Sequence, residues 1–389
     1  MHKLTEDITF IGVEDDNIDL FEGQYPVHEG ISYNSYFIAD DSIAIVDAVD
    51  IRRCSDWLAS VADAVARAGR RPAYLIVQHM EPDHSGSIRA FIDRYPDVSL
   101  VCTAKAAAML TNFFEGVDFT SRCNIVADGD TLCLGSHTLR FVTAPMVHWP
   151  EVMMTLDETA GVLFSADAFG SFAMSGATEA WDAEARRYYT NIVGRFGPSV
   201  QAVMKKLAGC SFGIVAPLHG PVLTSDLPRY WQLYDKWSRY EPETRGVLVA
   251  YASIYGGTAE AARRIAAVLQ ERGAGEVTLL DLCRHDVSYA VAEAFRLSHM
   301  VLCSVTYDGG LFPAMCSFLH HIESKRLCGR RVALVENGSW APQAARLMAD
   351  TLSRMKSMTV VAPVLTLNSR LHTSDLPAIG ALADSLMAE

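Results

Sequence analysis

Short apolar runs separated by helical patterns recur along the chain, and this alternation limits the fold more than any other feature of the sequence. After residue 245 the chain presents the runs VLVAY, VTLLDL, MVLCSV, VALVEN and VVAPVL at regular intervals, with a helical segment between one run and the next. Parallel strands need a long crossover connection, which is usually a helix. This half of the chain is therefore predicted to form a five-stranded, doubly wound parallel sheet of α/β class.

The first half of the chain shows the same alternation with more strands. The runs IAIVDAVD, LIVQH, VSLVCT, LRFVTAPMVH, GVLFSAD and FGIVAPLHG alternate with helical patterns such as DWLASVADAVARAG. The polar stretch KWSRYEPETR, residues 236 to 245, separates the two halves. Because 389 residues are also many for a single core, we predict two domains, residues 1–245 and 246–389.

The charge and the composition of the chain exclude several classes of partner. The formal net charge is −13 and the chain has no Lys/Arg-rich run, so neither nucleic acid nor an anionic membrane is expected to bind. The start, MHKLTEDITF, does not resemble a signal peptide, and no apolar run approaches the length of a membrane span, which predicts a cytoplasmic protein. Nine cysteines without a Cys-x-x-Cys pair predict reduced, mostly buried thiols.

Potential metal ligands follow the strand-like runs of the first half. They are His79, Glu81, Asp83 and His84 in the stretch VQHMEPDHSGS, then His148, Asp167 and His219, each at the end of a later run. If the strands share one sheet and these ends meet at one edge, the side chains converge there. Such a set is compatible with a solvated loop, with acid and base catalysis, or with metal binding. Its mixture of imidazoles and carboxylates is suited to two metals.

These residues resemble a known pattern. The first half is similar to the metallo-β-lactamase-like domain of the flavodiiron proteins, or A-type flavoproteins, in the motifs SYNSY (32 to 36), HMEPDH (79 to 84), HWP (148 to 150), SAD (165 to 167) and LHGP (218 to 221). The resemblance implies an αββα sandwich. The hydrolases of that fold usually carry His where this chain has Glu81. A carboxylate at this position adds negative charge and a hard oxygen ligand, which favours iron over zinc.

The resemblance also assigns a role to each predicted ligand. It makes His79, Glu81 and His148 ligands of one iron, makes Asp83 and His219 ligands of the other, and makes Asp167 the bridge between them. His84 matches the motif as well, at a position that the family does not always use as a ligand. Trp149 and Pro150 are expected to shape the pocket wall. Tyr25 and His28, in GQYPVHEG, either line the substrate pocket or lie in an exposed loop, and we predict the exposed loop.

Three loops of the second half predict a flavin site. The segment VLVAYASIYGGTAEAARRIAAVL indicates a strand, a small-residue turn and a helix, whose N-terminus is suited to bind a phosphate. SVTYDGGLFP (304 to 313) and ENGSWAPQ (336 to 343) follow two further predicted strands, and aromatic residues at such ends can sandwich an isoalloxazine ring. The predicted contacts are Ser253, Ile254, Tyr255, Gly256, Gly257, Thr258, Ser304, Thr306, Tyr307, Asp308, Gly309, Gly310, Asn337, Gly338, Ser339 and Trp340.

This second half resembles flavodoxin, and the resemblance implies FMN. Many members of the family have Asn where Gly257 stands, and their third loop is a different stretch that contains Gly, Tyr or Trp. These departures concern single hydrogen bonds rather than the class of cofactor. The two resemblances cover nearly the whole chain in the flavodiiron order, and we expect the minimal form of the family, without a rubredoxin-like or reductase extension.

The implied function is reduction of dioxygen to water, of nitric oxide to nitrous oxide, or of both, which would detoxify these gases. Two ferrous ions and one reduced FMN hold the four electrons that dioxygen needs. The electron donor is expected to be rubredoxin, a reduced deazaflavin or another flavoprotein. The resemblance also implies a head-to-tail homodimer, alone or as a dimer of dimers, in which FMN serves the irons of the partner chain. The alternatives are a two-metal hydrolase of the same fold and a plain electron carrier.

Overall fold

The structure, a computed structural model, describes residues 2–119, 121–177 and 181–388. Among these residues, contacts define two compact units. One unit is formed by the chain up to residue 189 together with residues 198–235, and the other by residues 190–197 together with the chain from residue 236 onward. The predicted domain boundary at residue 245 stays a prediction, because a compact unit is not by itself a domain that folds alone.

The elements of the first part of the chain are mostly short. Its strands are β1 (His2–Lys3), β2 (Ile8–Phe10), β3 (Val13–Asp15), β4 (Leu20–Phe21), β5 (Tyr25–Pro26), β6 (Ile31–Tyr33), β7 (Tyr36–Ile38), β8 (Ile43–Val46), β9 (Pro72–Val77), β10 (Ser99–Cys102), β11 (Cys123–Ile125), β12 (Thr131–Cys133), β13 (Thr138–Thr143), β14 (Met153–Asp157), β15 (Val162–Phe164) and β16 (Ile214–Ala216). Its helices are α1 (Cys54–Ala68), α2 (Pro82–Ser85), α3 (Ile88–Arg94), α4 (Ala104–Phe113), α5 (Trp181–Tyr188), α6 (Gly197–Leu207) and α7 (Leu227–Ser238). Short 3-10 segments lie at Ile51–Arg53, Gly194–Phe196 and Thr373–Asp375, and a π-helical segment lies at Tyr189–Val193.

The first unit contains two mixed sheets. The larger sheet has seven strands in the order β1-β2-β7-β8-β9-β10-β11, and the smaller has five in the order β12-β13-β14-β15-β16. The strands from β8 to β11 run parallel, whereas β13, β14 and β15 alternate in direction and β16 runs parallel to β15. The condition that the strands before the predicted ligands share one sheet is not met, since β9 belongs to the larger sheet and β13, β15 and β16 to the smaller.

The two sheets of the first unit pack face to face. Val46 and Ile76 from the larger sheet share one hydrophobic cluster with Phe141 and Phe164 from the smaller. Because side chains alternate across a strand, the neighbouring Ile45 of β8 points away from this cluster, and it is equally buried. Burial of both faces requires a second covering layer, which the helices supply. The predicted αββα sandwich is confirmed.

The second unit is built around one parallel sheet. Its strands are β17 (Thr244–Tyr251), β18 (Glu276–Asp281), β19 (Leu297–Tyr307), β20 (Gly310–Leu311), β21 (Arg331–Asn337), β22 (Thr359–Val360) and β23 (Leu365–Leu367), and its helices are α8 (Gly257–Glu271), α9 (Val287–Arg296), α10 (Pro313–Ser324), α11 (Ala344–Ser353) and α12 (Leu376–Met387). The order is β18-β17-β19-β21-β22, with β23 also paired to β21. Both faces are covered, since Leu248 and Val249 of one strand lie in different hydrophobic clusters.

This architecture confirms the predicted five-stranded, doubly wound sheet. All pairings among its five main positions are parallel. The fifth predicted run, VVAPVL, is divided between β22 and β23. Pro363 lies in the interruption, and proline has no N–H to donate to a neighbouring strand.

Two expectations about the composition have different outcomes. All nine cysteines are free, but only Cys102 and Cys303 are buried. The prediction of mostly buried thiols is therefore wrong, because most of these cysteines lie at the ends of elements or on partly exposed faces. Within the described ranges, no helix combines the length and the apolar character that a membrane crossing requires.

Candidate metal centre and flavin loops

Four of the seven predicted ligands lie on connections after strands of the first unit, and the other three lie at the start of α2. His79 follows β9, His148 lies between β13 and β14, Asp167 follows β15 and His219 follows β16. Glu81 is the N-cap of α2, Pro82 occupies its first position, and Asp83 and His84 lie within it. Proline at that position starts a helix without losing a hydrogen bond. The start of α2 therefore places three ligands within four residues.

One group of ligand atoms is formed by His79, Glu81, His148 and Asp167, all within 4.8 Å of one another. The Nε2 atom of His79 lies 3.3 Å from Oε2 of Glu81 and 3.2 Å from Oδ2 of Asp167. The Nε2 atom of His148 lies 3.0 Å and 3.1 Å from the same two oxygens. Two imidazole nitrogens and two carboxylate oxygens thus converge on one point.

The second group consists of Asp83, His84 and His219. The Nε2 atoms of the two histidines are 3.0 Å apart, and each lies 3.3 Å from Oδ2 of Asp83. The three side chains are buried. In this structure His84 therefore stands as close to the centre of the group as His219 does.

Asp167 connects the two groups. Its Oδ2 atom faces His79 and His148, whereas its Oδ1 atom lies 3.3 Å from Nε2 of His84 and 3.7 Å from Nε2 of His219. Neither oxygen of Asp167 nor of Asp83 has a hydrogen-bond partner among the described residues, although all four are buried. Buried polar atoms are normally paired. A pair of cations, one in each group, would satisfy these oxygens, so the donor set fits a dinuclear metal centre.

The electrostatics of the two groups agree with this interpretation. Burial alone would lower the pKa of His148, but the carboxylates of Asp167 and Glu81 beside its ring raise it to about 9. Burial opposes ionisation of Asp167, yet the charge of His79 and the adjacent imidazoles of His148 and His84 hold its pKa well below the ordinary value. Glu81 likewise has a lowered pKa, against the effect of its burial, because of His148 and His79. The carboxylates are thus kept as anions that require nearby positive charge.

The first and third loops of the second unit are joined by one side chain. Helix α8 begins at Gly257 after Gly256, whose φ of 91° glycine adopts without strain. The Nδ2 atom of Asn337 donates to Oγ1 of Thr258 at 3.1 Å and to the carbonyl oxygen of Ser369 at 3.1 Å, and its Oδ1 atom accepts from the N–H of Ser369 at 3.0 Å. The predicted phosphate loop is thereby fixed to the third loop and to the segment after β23.

Ser369 was not predicted from the sequence, and it explains the departure at Gly257. A Cβ atom at Gly257 would lie 2.4 Å from the carbonyl oxygen of Ser369. This position therefore excludes a side chain, including the Asn found in many members of the family.

The second loop is mainly a turn. Asp308 and Gly309 connect β19 to β20 with φ values of 49° and 68°, as a two-residue hairpin turn requires. The Oγ1 atom of Thr306 accepts from the N–H groups of Gln343 and Ala344 at 2.8 and 3.1 Å, at the start of α11. Ser304 is buried in β19. These predicted contact residues thus have local structural roles.

The predicted flavin-stacking aromatics lie open to solvent. Tyr255 is 99% exposed, Trp340 is 82% exposed and Tyr307 is 45% exposed. They follow or end the neighbouring strands β17, β21 and β19, at the edge where open α/β sheets bind ligands. Large aromatic side chains are exposed in this way where they contact a ligand or another protein.

Known proteins were compared with the whole chain. The model of the ODP family beta-lactamases matches residues 31–220. The anaerobic nitric oxide reductase flavorubredoxin of Aeromonas hydrophila is 29% identical to this chain, over 86% of this chain and 69% of its own length. The nitric oxide reductase of Moorella thermoacetica is 27% identical, over 92% of this chain and 91% of its own length. The solved flavodiiron protein from Giardia intestinalis has a TM-score of 0.92 and 23% identity, and covers 99% of this chain and 95% of its own. These matches support the interpretation of this chain as a flavodiiron protein.

A second solved structure agrees with that assignment of the fold. The rubredoxin oxygen:oxidoreductase from Desulfovibrio gigas has a TM-score of 0.91 and 22% identity, and covers 99% of this chain and 97% of its own. Both units of the chain are therefore arranged in the sequence order of a flavodiiron protein.

Two residues behind the metal groups were not predicted from the sequence. The Nδ1–H of His79 donates to Oε1 of Glu151 at 2.8 Å, and the Nδ1–H of His219 donates to the carbonyl oxygen of Ser32 at 2.8 Å. Glu151 directly follows the HWP motif, and Ser32 opens the SYNSY motif. Their positions next to these motifs were the only available signal.

The remaining predictions concern the surroundings of the metal groups. The ring of Trp149 packs edge to face against the ring of His79, with 5.3 Å between the ring centroids, in agreement with a place in the pocket wall. His28 is exposed as predicted. Pro150, which was expected to shape the pocket wall, is exposed and does not line the cavity beside the metal groups. The prediction of an exposed loop is wrong for Tyr25, which is buried because its ring packs against Phe172.

A cavity of about 420 Å³ reaches the metal groups at Glu81 and Asp83. Its other walls include Leu20 and Phe21, which are apolar, and the ring of Tyr33. Neither Tyr25 nor His28 lines it. The cavity is much larger than a diatomic molecule, so the metal groups are accessible to a small substrate.

Proposed function

We propose that this chain is a flavodiiron protein, an oxidoreductase that reduces dioxygen to water, nitric oxide to nitrous oxide, or both, at two non-haem irons. The observation that carries the proposal is the position of Asp167, whose two oxygens are turned to two separate ligand groups. The names of the relatives, nitric oxide reductase and rubredoxin oxygen:oxidoreductase, support this choice of substrates. The biological role that follows is protection against these gases.

The ligand set fits iron better than zinc. His79, Glu81 and His148 would hold one iron, and Asp83, His84 and His219 the other, with Asp167 shared between them. When bound, the two irons supply the redox chemistry that binds and reduces the gas. Glu81, Asp83 and Asp167 contribute the negative charge that stabilises the ferric state. The oxygen ligand at Glu81 favours a metal that is harder than zinc.

The second unit is proposed to bind FMN. Loop 252–258 would receive the phosphate at the N-terminus of α8, and Tyr307 and Trp340 would contact the ring. FMN carries electrons one or two at a time, so it links a donor to the irons. We expect the donor to be rubredoxin, a reduced deazaflavin or another flavoprotein. We also expect a head-to-tail homodimer, alone or as a dimer of dimers, in which FMN reduces the irons of the partner chain.

The proposal is tested by cofactor analysis together with turnover. The purified protein is expected to contain about two irons and one FMN per chain, and to consume dioxygen or nitric oxide when a chemically reduced donor is supplied. Parallel assays with the two gases identify the preferred substrate. Zinc in place of iron, with hydrolysis of an ester or lactam, would overturn the proposal in favour of a hydrolase. Flavin without metal would indicate an electron carrier.

A matched pair of variants links the activity to the proposed centre. Asp167→Ala removes the shared carboxylate and is expected to abolish turnover. Asp157→Asn changes another buried carboxylate, which accepts a hydrogen bond from Nδ1 of His137 at 2.6 Å and belongs to neither metal group. This control is expected to retain iron and turnover. Equal loss in both variants would mean that the effect is one of folding.

A further inference from the structure

The two metal groups have chemically different partners behind their histidines. His79 donates its Nδ1 hydrogen to a carboxylate, Oε1 of Glu151, whereas His219 donates its Nδ1 hydrogen to a neutral carbonyl, that of Ser32. The two distances are equal at 2.8 Å. The difference between the groups is thus the charge of the partner and not the geometry of the hydrogen bond.

Glu151 is held firmly in its position. The N–H of Met80 donates to the same Oε1 atom at 2.9 Å, and the hydroxyl of Thr103 donates to the backbone carbonyl of Glu151 at 3.0 Å. Thr103 is itself fixed, because it is the N-cap of α4 and accepts from the N–H of Ala106. Glu151 is only 1% exposed. Its carboxylate therefore cannot turn to solvent without breaking several contacts.

Both partners orient an imidazole, but only a carboxylate also changes its electronic properties. Either acceptor keeps the hydrogen on Nδ1 and so leaves the Nε2 lone pair free for a metal. A carboxylate additionally makes the ring a stronger donor. Its charge also acts over a short distance, because Glu151 and His79 are both buried.

We propose that Glu151 is a positioning residue that makes the two metal positions unequal. The position formed by His79, Glu81 and His148 binds its iron more tightly, and that iron is oxidised first. The charges support this order. Apart from the shared Asp167, the first position has Glu81 as a ligand and the carboxylate of Glu151 behind His79, whereas the second has Asp83 as a ligand and the neutral carbonyl of Ser32 behind His219. The inference rests on the proposed pair of irons.

A Glu151→Gln variant isolates the charge. Glutamine keeps the length of the side chain and an oxygen that accepts from His79 and Met80, but it carries no charge. The control is Asp157→Asn, which neutralises a buried carboxylate–imidazole pair of the same unit that lies outside the metal groups, His137 and Asp157. Melting of both variants at the temperature of the wild-type protein would show that neither change disrupts the fold.

The experiment uses the full chain stripped of metal and titrated anaerobically with ferrous iron alone against a competing chelator. The wild-type protein is expected to bind iron in two distinguishable steps. Glu151→Gln is expected to raise the dissociation constant of the tighter step by about 10–100-fold and to leave the weaker step unchanged. In a redox titration of the loaded protein, the reduction potential of the first iron to be oxidised should rise, since a negative charge that favours ferric iron is lost.

The outcomes separate the two proposals. If the wild-type protein binds no iron, the proposed function fails. If it binds two irons in equal steps, or if Glu151→Gln changes neither the tighter step nor the potential, the inference about Glu151 is overturned and the proposed function stands. Should the variant not fold, the zinc-loaded wild-type protein decides by nuclear magnetic resonance. A ring Nδ1 proton of His79 further downfield than that of His219 supports the charged partner, and equal shifts contradict it.

Discussion

The side chain of Asn337 offers a quantitative test of how the flavin loops are held together. It makes three hydrogen bonds, one to the hydroxyl of Thr258 and two to the backbone of Ser369. Asn337 and Thr258 are both buried. Asn337→Ala removes all three bonds and leaves the hydroxyl of Thr258 without this donor. The first loop, the third loop and the segment after β23 would then lose their common attachment.

The expected cost follows from these three bonds. Each is worth about 0.5–1.5 kcal/mol net, so that the free energy of unfolding should fall by about 2–4 kcal/mol. The bonds are present in the chain without flavin, so most of this loss should appear in the FMN-free protein. Binding of FMN must then reorder the loosened loops. If that reordering costs about 1.4 kcal/mol, the dissociation constant of FMN rises about tenfold.

Two measurements on the FMN-free protein check this prediction. Urea unfolding gives the change in stability, and titration with FMN, followed by flavin fluorescence, gives the change in affinity. The matched control is Asn368→Ala, which truncates an exposed residue of the same type beside Ser369. An unfolding free energy of Asn337→Ala equal to that of this control would refute the reasoning, because it would mean that the three hydrogen bonds contribute nothing net.

Three further predictions concern the cofactors. Glu81→His replaces a carboxylate by the ligand usual in hydrolases, so metal analysis should find more zinc and less iron, and gas turnover should be lost. Unchanged iron content and turnover would contradict the role of Glu81. Thr258→Asp places a carboxylate in the proposed phosphate loop, so the protein should purify colourless while keeping its irons. The control Thr258→Ser should bind FMN. A yellow Thr258→Asp variant with wild-type flavin content would contradict the assignment of this loop. Mixing Asp167→Ala with Thr258→Asp should restore about a quarter of wild-type turnover if electrons cross between chains; no recovery in proven mixed dimers would exclude the crossed arrangement.

The sequence predicted the second unit more completely than the first. Strands such as β17 are buried on both faces, so they appear as continuous apolar runs, and helices follow them at regular spacing. In the first unit, the pairs β3 with β6 and β4 with β5 have only two or three residues in each strand, too few for a periodic pattern. Apolar patterns also do not show which sheet a strand joins. The division of the ligand-bearing strands between two sheets therefore could not be predicted.

The sequence predicted more of the candidate metal site than of the residues that surround it. Histidines and carboxylates after strands form a dense and recognisable pattern, and the structure brings the ligand atoms of all seven predicted residues into two adjoining groups. Glu151 and Ser32 have no comparable pattern. A single glutamate after a tryptophan and a proline does not indicate a metal site. Every residue has a backbone carbonyl, so the residue type of Ser32 does not identify it as an acceptor. Thr306 was predicted to contact the flavin, but its hydroxyl accepts a hydrogen bond from the N–H of Gln343 beside α11. The sequence could not distinguish these two roles, because a threonine near the end of a strand suits both.

The division of the ligands between the two sheets has a consequence for stability. Each metal group takes ligands from both sides of the sandwich, since His79, Asp83 and His84 follow a strand of the larger sheet and His148, Asp167 and His219 lie at the ends of strands of the smaller. A metal in either group therefore links the two sheets. Because a ligand that binds only the folded state stabilises that state, each iron should strengthen the packing around Phe141 and Phe164 as well as fill its own site. The same packing sets the distance between the ligands of opposite sheets, so the hydrophobic core and the metal centre depend on each other.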